Sequence, residues 1–168
     1  MKAVMNDVSV RPAGVPDLPE LAALRWQFRT DGTEPTEDRT AFEKRFCDQV
    51  TVSFDDGSWR AWVATDDGEV IGHIYASRIG KLPNPVDEAE AHLYLSNLYV
   101  RPEYRGRGLA AALLDTALAD LDDIDAAILW ARPGTAGLYA RYGFGESPEI
   151  LERRPLTATT HQVSDVEA

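Results

Sequence analysis

An apolar run from Leu93 to Val100 and an Ala/Leu-rich run from Leu109 to Leu121 are joined through Tyr104-Arg105-Gly106-Arg107-Gly108. A strand-like segment that passes into a helix-like one through a glycine turn constrains this chain more than any other feature. Glycine accepts φ angles that other residues avoid, and it lets backbone amides approach a ligand closely. The first amides of a helix have no acceptor inside it and carry partial positive charge. Arg105 and Arg107 add full charges to the same turn. The combination suits an anionic, phosphorylated ligand.

The rest of the chain is the wrong sign for a nucleic-acid or anionic-membrane binder. Its 168 residues hold 28 Asp+Glu against 17 Lys+Arg, a formal net charge of -11, and both kinds of partner need a basic surface. One basic notch in an acidic protein remains free to hold a small anion. The length and a hydrophobic content of 44% predict one folded domain over residues 1–156, with a polar, aperiodic tail over 157–168 expected to be disordered. Cys47 is the only cysteine, so no disulfide can close within the chain. The three histidines lack metal-ligand spacing, and no metal is expected. The first ten residues are too polar for a signal peptide. No apolar run reaches the roughly 20 residues needed to span a bilayer, so the expectation is a soluble cytoplasmic protein.

Periodicity supplies the element order. Val8 and Val10 alternate in a first strand that Pro12 ends. Asp17 stands at the start of a helix carrying Leu18, Leu21, Leu24 and Phe28 on one side. Thr36 or Asp38 starts a second, with Phe42, Phe46 and Val50 at i, i+4 and i+8; Asp55-Asp56-Gly57 stops it. Trp59 to Thr65 and Val70 to Ile79 flank Asp67-Gly68, a strong hairpin signal. Glu90 to Val100 is the next strand, followed by the glycine turn and a helix with the apolar face Leu109, Leu113, Ala117 and Leu121. Asp125 to Ala131 reads as a buried strand. Pro133 opens a last helix that ends at Gly143, and Pro148 to Leu156 reads as a final strand. The order is β-α-α-β-β-β-α-β-α-β, without internal repeats.

Two familiar phosphate-binding turns fail against these residues. A P-loop needs a closing Gly-Lys-Ser/Thr, which is absent. Gly106 to Ala111 satisfies G-x-G-x-x-A, but Arg101 to Arg105 separate it from its strand, and the next strand ends in Trp130-Ala131-Arg132 without the acidic residue that a dinucleotide ribose requires.

A third reading accounts for more of the chain. Arg105-x-x-Gly108-x-Ala110 resembles the R/Q-x-x-G-x-G/A signature of the Gcn5-related N-acetyltransferase (GNAT) family, and Leu98 to Tyr104 resembles its strand-and-turn lead-in. Leu138-Tyr139-Ala140-Arg141-Tyr142-Gly143-Phe144 is similar to the family's L-Y-x-R-x-G-F segment, with one helix and one strand between the two motifs. The resemblance covers about Val8 to Leu156. It implies an α/β (mixed α+β) GNAT-like acyl-CoA N-acyltransferase fold, with a central, mostly antiparallel mixed sheet and helices on both faces.

What the resemblance implies about function can be put residue by residue. Acetyl-CoA, or another acyl-CoA, is the donor, and an amine of a small molecule or peptide attacks it directly in a ternary complex. The backbone of Gly106, Arg107, Gly108, Leu109 and Ala110 binds the pyrophosphate; Arg105 and Arg107 add charge or hold the turn. Leu98, Tyr99 and Val100 line the pantetheine where the family's strand parts from its neighbour, and an N–H near Leu98 polarises the thioester oxygen. Tyr139 matches the general acid: a phenol of pKa about 10 can protonate a thiolate whose conjugate acid has a pKa of about 8.5. Tyr142 is the second candidate for that role. The usual early glutamate of the fourth strand is missing, since Tyr94 falls near its place. His92, on one strand face with Glu90, Tyr94 and Ser96, is the candidate base.

Asp31 and Glu34 lie in the loop between the first two helices, which lines the family's acceptor pocket; four carboxylates there favour a cationic amine. Cys47 sits beside Phe46 on an apolar helical face and reads as packing rather than as a nucleophile. Arg132-Pro133-Gly134 stands where many members carry Asn, so one coenzyme contact of the family has no counterpart. The alternative function is a non-catalytic acyl-CoA-binding or sensing domain on the same fold. Exposed strand edges leave a homodimer possible.

Overall fold

The computed structural model describes residues 7–153. The strands are β1 Val8–Pro12, β2 Arg60–Asp66, β3 Glu69–Gly80, β4 Ala91–Val100 and β5 Ile124–Ile128; the helices are α1 Leu18–Thr30, α2 Arg39–Asp55, α3 Leu109–Ala117 and α4 Ala136–Ala140. The five strands form one sheet in sequence order. Each neighbouring pair from β1 to β4 is antiparallel, and β5 runs parallel to β4. The Asp67-Gly68 turn makes the β2–β3 hairpin, with φ of 48° and 85°, the two positive angles that a tight hairpin of this hand requires.

β3 is buried on both faces from Val70 to Ala76, which demands cover on each side. On one face, Leu18, Leu21 and Leu24 of α1 pack with Ala61, Val63, Val70, Tyr75 and Tyr99, and Phe46, Cys47, Val50 and Phe54 of α2 lie against that cluster. The alternate residues Ile74, Ala76, Leu93 and Leu95 are equally buried and point to the other face. There α3 runs against β1 to β4 with Leu109, Leu113, Leu114 and Ala117 buried.

Asp38 caps α2 as its sequence suggests, accepting from the Thr40 and Ala41 amides at 2.8 and 3.1 Å. Asp17 stands before α1 without capping it by side chain. Its carboxylate is taken by the Arg11 guanidinium at 2.7 and 2.8 Å and by the Gly14 amide at 2.8 Å.

Three expectations from periodicity are corrected. α3 ends at Ala117, a turn short of Leu121, which is 44% exposed. The acidic run beyond it opposes the helix dipole, and Asp120 Oδ1 accepts the Asp122 amide at 3.4 Å, an alternative to helical bonding. The strand expected over Asp125 to Ala131 forms as β5 but is not buried: its residues are half-buried or exposed, and among the described residues it is an edge strand that pairs with β4 alone. No strand occurs over residues 148–153; the rest of that expected strand, and the tail expected to be disordered, lie outside the described residues.

Contacts divide the chain after Ala131 into two compact units. The sheet, α1, α2 and α3 belong to the first. The second holds α4, which is shorter than expected because Gly134 takes a φ of 82° and the Thr135 hydroxyl donates to the Arg132 carbonyl at 2.7 Å. Gly143, with φ 80°, ends the turn after α4, as its sequence predicts.

Candidate functional site

The turn after β4 is built by its own side chains. Pro102–Tyr104 forms one 3₁₀ turn, Arg105 is extended, and Gly106 and Gly108 take φ of 73° and 82°. Such angles strain any residue with a Cβ. Gly108 opens α3 without a side-chain cap, so the first amides of the helix face outward from a bare end. Buried Leu109 anchors that end in the core, with Ala110 half-buried beside it. Arg105 Nε donates to the Val100 carbonyl at 2.9 Å, and its guanidinium lies 5.7 Å from the Tyr99 ring centre. Arg107 lies 5.8 Å over Tyr104. Both arginines therefore hold the turn while leaving positive charge beside it.

Upstream, β4 is irregular. Tyr75 pairs with Ser96 and His73 with Tyr99, so β4 carries one more residue than β3 over this stretch. The extra residue shows in Asn97, at φ 55°, a conformation asparagine tolerates better than most. On its other side β4 pairs with β5 only from Ala91 to Tyr94. Among the described residues, no strand pairs with that edge from Leu95 to Val100. Backbone groups there that face away from β3 lack a ladder partner, and the opened edge leads directly to the glycine turn.

The α1-facing side of this region is lined by rings in sequence. Trp130 meets Tyr94 at 5.1 Å, Tyr94 meets Trp59 at 5.7 Å, and Trp59 meets Tyr75 at 6.4 Å. His73 lies 5.3 Å from Tyr75 and 5.8 Å from Tyr99, which packs on Phe28 at 5.3 Å. Arg25 of α1 joins this row, donating to Asn97 Oδ1 and facing Phe28 at 6.0 Å. Burial lowers the Arg25 pKa, as does the neighbouring Arg29 charge. Burial, with the Arg25 charge, pulls His73 down to about 3, so its ring is neutral at any physiological pH. Burial pushes the Tyr75 phenol up. Neither His73 nitrogen nor the Tyr75 hydroxyl has a hydrogen-bond partner among the described residues.

The residues singled out in the sequence do not all converge here. Leu98 is half-buried at the bulge, and Tyr99 and Val100 are buried at the end of β4. His92 lies five residues before Asn97, about 17 Å along an extended strand. Its Nδ1 is 3.9 Å from Asp125, a carboxylate that also accepts from Lys81 at 3.0 Å. Asp31 and Glu34 are exposed. Asp31 is near enough to Tyr99 for its charge to help burial raise that phenol. Cys47 lies against the core, and burial keeps it a thiol by raising its pKa. In the second unit, Tyr139 is half-buried against Phe144, 6.0 Å away, and burial raises its pKa. Arg25, Asn97 and Trp130 were not singled out from the sequence. An arginine within the Leu21, Leu24, Phe28 stripe, and an asparagine inside an apolar strand, were the available signals.

No group of three or more His, Cys, Asp and Glu residues among the described residues is arranged to hold a metal ion, and no described helix is long and apolar enough to cross a membrane. None of the curated proteins matches the sequence significantly. Among solved structures, a GCN5-related N-acetyltransferase from Ralstonia eutropha JMP134 is 27% identical, with a TM-score of 0.71 over 88% of this chain and 99% of that one. A predicted acetyltransferase from Clostridium acetobutylicum, solved with acetyl-CoA, is 23% identical, with a TM-score of 0.73 over 88% and 96% of the two chains. An aminoglycoside N-acetyltransferase in complex with CoA shares the fold at 18% identity and a TM-score of 0.65, over 90% and 96% of the chains. The family model for the GNAT acetyltransferases matches residues 18–144, which include β2 to β4, the glycine turn, α3 and the Tyr139 segment. The chain belongs to the GNAT acetyltransferase family.

Proposed function

We propose that this protein transfers an acetyl group from acetyl-CoA to an amine, with donor and acceptor bound together. The observation that carries the reading is the opened β4 edge running into an uncapped helix start flanked by two positive-φ glycines. The residues suit the coenzyme. Gly106, Arg107, Gly108, Leu109 and Ala110 offer amides to a pyrophosphate, with no Cβ on either glycine to obstruct approach. Arg105 and Arg107, fixed against Tyr99 and Tyr104, supply charge without having to be ordered on binding. Leu98, Tyr99 and Val100 would run beside the pantetheine arm as an added strand would.

The bound coenzyme supplies an activated thioester. The chain's own work is to orient and polarise it. An amide near Leu98, at the bulge, would polarise the thioester oxygen as it acquires charge. Tyr139 holds a proton for the departing sulfur, and its raised pKa keeps it protonated at neutral pH. The base role proposed for His92 must pass through water, given its distance from the bulge. Asp31 and Glu34 would draw the acceptor's ammonium group toward the site.

Turnover of acetyl-CoA over an amine panel, read as thiol release, tests the proposal. Release that depends on the acceptor is expected. Coenzyme A that raises the melting temperature without release for any amine would favour a sensing domain. Coenzyme A that leaves the melting temperature unchanged at saturation would sink both readings.

A further inference from the structure

The guanidinium of Arg25 is a half-buried cation without a carboxylate partner among the described residues. Every salt bridge found in the described residues lies elsewhere. Its partners are the Asn97 side chain and the face of Phe28. Burial lowers its pKa, and so does the charge of another cation, Arg29. A chain carrying 28 acidic residues leaves this one partly buried charge uncompensated, an arrangement that costs stability unless something pairs with it.

A second, independent observation points the same way. Tyr75, 6% exposed, carries a hydroxyl with no hydrogen-bond partner among the described residues. Tyr75 pairs in register with Ser96, the neighbour of the Asn97 that Arg25 holds. A cation and an unsatisfied donor therefore converge on the sheet face beside the Asn97 bulge. Tyr94 and the 62% exposed Trp130 continue this face toward solvent as an apolar wall.

We propose that Arg25, with the Tyr75 hydroxyl, recognises a carboxylate on the acceptor, so that the substrate is an amine with an apolar body and an acid group, of the amino-acid type. This rests on the acetyl-transfer reading. Arg25 binds the acid bidentately, the Tyr75 hydroxyl donates to it, and the Trp130–Tyr94 wall takes the apolar body. The exposed carboxylates Asp31 and Glu34, in the loop that follows α1, would take the ammonium group, so that the two charges of a zwitterion are matched by separate groups.

Matched acceptor pairs that differ only in the carboxylate test this: phenylalanine with phenethylamine, tryptophan with tryptamine, and lysine with cadaverine. The carboxylated member of an apolar pair is expected to show kcat/KM about tenfold or more above its partner. Arg25→Gln keeps a donor for Asn97 and removes the charge. It is expected to raise KM for the carboxylated member about tenfold, with little change for the decarboxylated one.

Equal loss for both members would assign Arg25 to holding the bulge, or to the charge at the thioester, and overturn the proposal; so would a wild-type preference for the decarboxylated amines. Should no pair turn over although coenzyme A raises the melting temperature, N-acetylphenylalanine replaces the acceptor as probe with the coenzyme-loaded protein. A stabilisation present in the wild type and lost in Arg25→Gln supports carboxylate recognition; its absence from the wild type overturns it. Failure of coenzyme A itself to stabilise the protein overturns the donor reading instead.

Discussion

Gly72 of β3 lies so close to β4 that a Cβ placed on it would stand 2.9 Å from the Tyr99 carbonyl oxygen. Its φ is ordinary, so the requirement for glycine is one of space. Gly72 pairs with Val100, directly before the turn that Arg105 ties to the Val100 carbonyl. Gly72→Ala is therefore expected to cost about 1–3 kcal/mol, as overpacking does, and to displace the end of β4. Chemical denaturation measures the first effect. Coenzyme affinity, reduced beyond what the stability loss explains, reports the second.

Gly108 presents the opposite case. Nothing lies within 4 Å of a Cβ built there, and its φ is 82°. Gly108→Ala is expected to lose roughly 1–2 kcal/mol through the left-handed conformation alone. Relaxation of that strain would turn the first amides of α3, and coenzyme A should then stabilise the variant less than the wild type. Equal shifts in melting temperature at saturating coenzyme would separate the turn from the binding site.

Tyr139 carries a proton whose pKa burial has raised. An acid works in its protonated form, so kcat is expected to hold through neutral pH and to fall only above the ordinary phenol value of about 10. Tyr139→Phe should lower kcat about a hundredfold, with coenzyme affinity intact. A basic limb that persists unchanged in the variant would assign the titration to another group.

His73 makes acid sensitivity intrinsic to the core. Its pKa is depressed in the folded protein, from 6.5 to about 3. Below 6.5 the unfolded chain takes up a proton that the folded chain refuses. Its contribution to stability is therefore whole above pH 6.5 and is lost as the pH falls toward 3. A gap of that width corresponds to roughly 4–5 kcal/mol. In His73→Leu the melting temperature should fall less steeply over this interval than in the wild type. Parallel acid limbs in the two proteins would show that carboxylates such as Asp17, whose pKa Arg11 lowers, account for the whole loss.

Local chemistry was legible wherever one residue decides one feature. Asp38 at the start of α2, Asp67-Gly68 between β2 and β3, and Gly143 after α4 each act through their own backbone or a neighbour's amide, and each stands where its type implies. The glycine turn was legible for the same reason. Features set by pairing were not. β5 has the composition of a buried strand, yet its exposure follows from its place at the sheet edge. α3 keeps its apolar face as far as Ala117, and the competition that stops it comes from the aspartates that follow. Arg25 becomes notable only because no acid among the described residues meets it in three dimensions, and residue spacing along α1 carries no record of that.

The extra residue at Asn97 has a further consequence. A strand presents its side chains in two-beat time, and one inserted beat reverses the assignment for everything after it. Before Asn97, Tyr94 and Ser96 fall on the α1 side; after it that side receives Tyr99, and Val100 meets Gly72 on the other. Without the insertion, Val100 would face α1, and the ring that now seats both Phe28 and the Arg105 guanidinium would point toward α3. One off-beat residue thus lets a single strand turn Tyr94 and Tyr99 to the same face, one on each side of the insertion, and deliver Val100 to the glycine turn from the other.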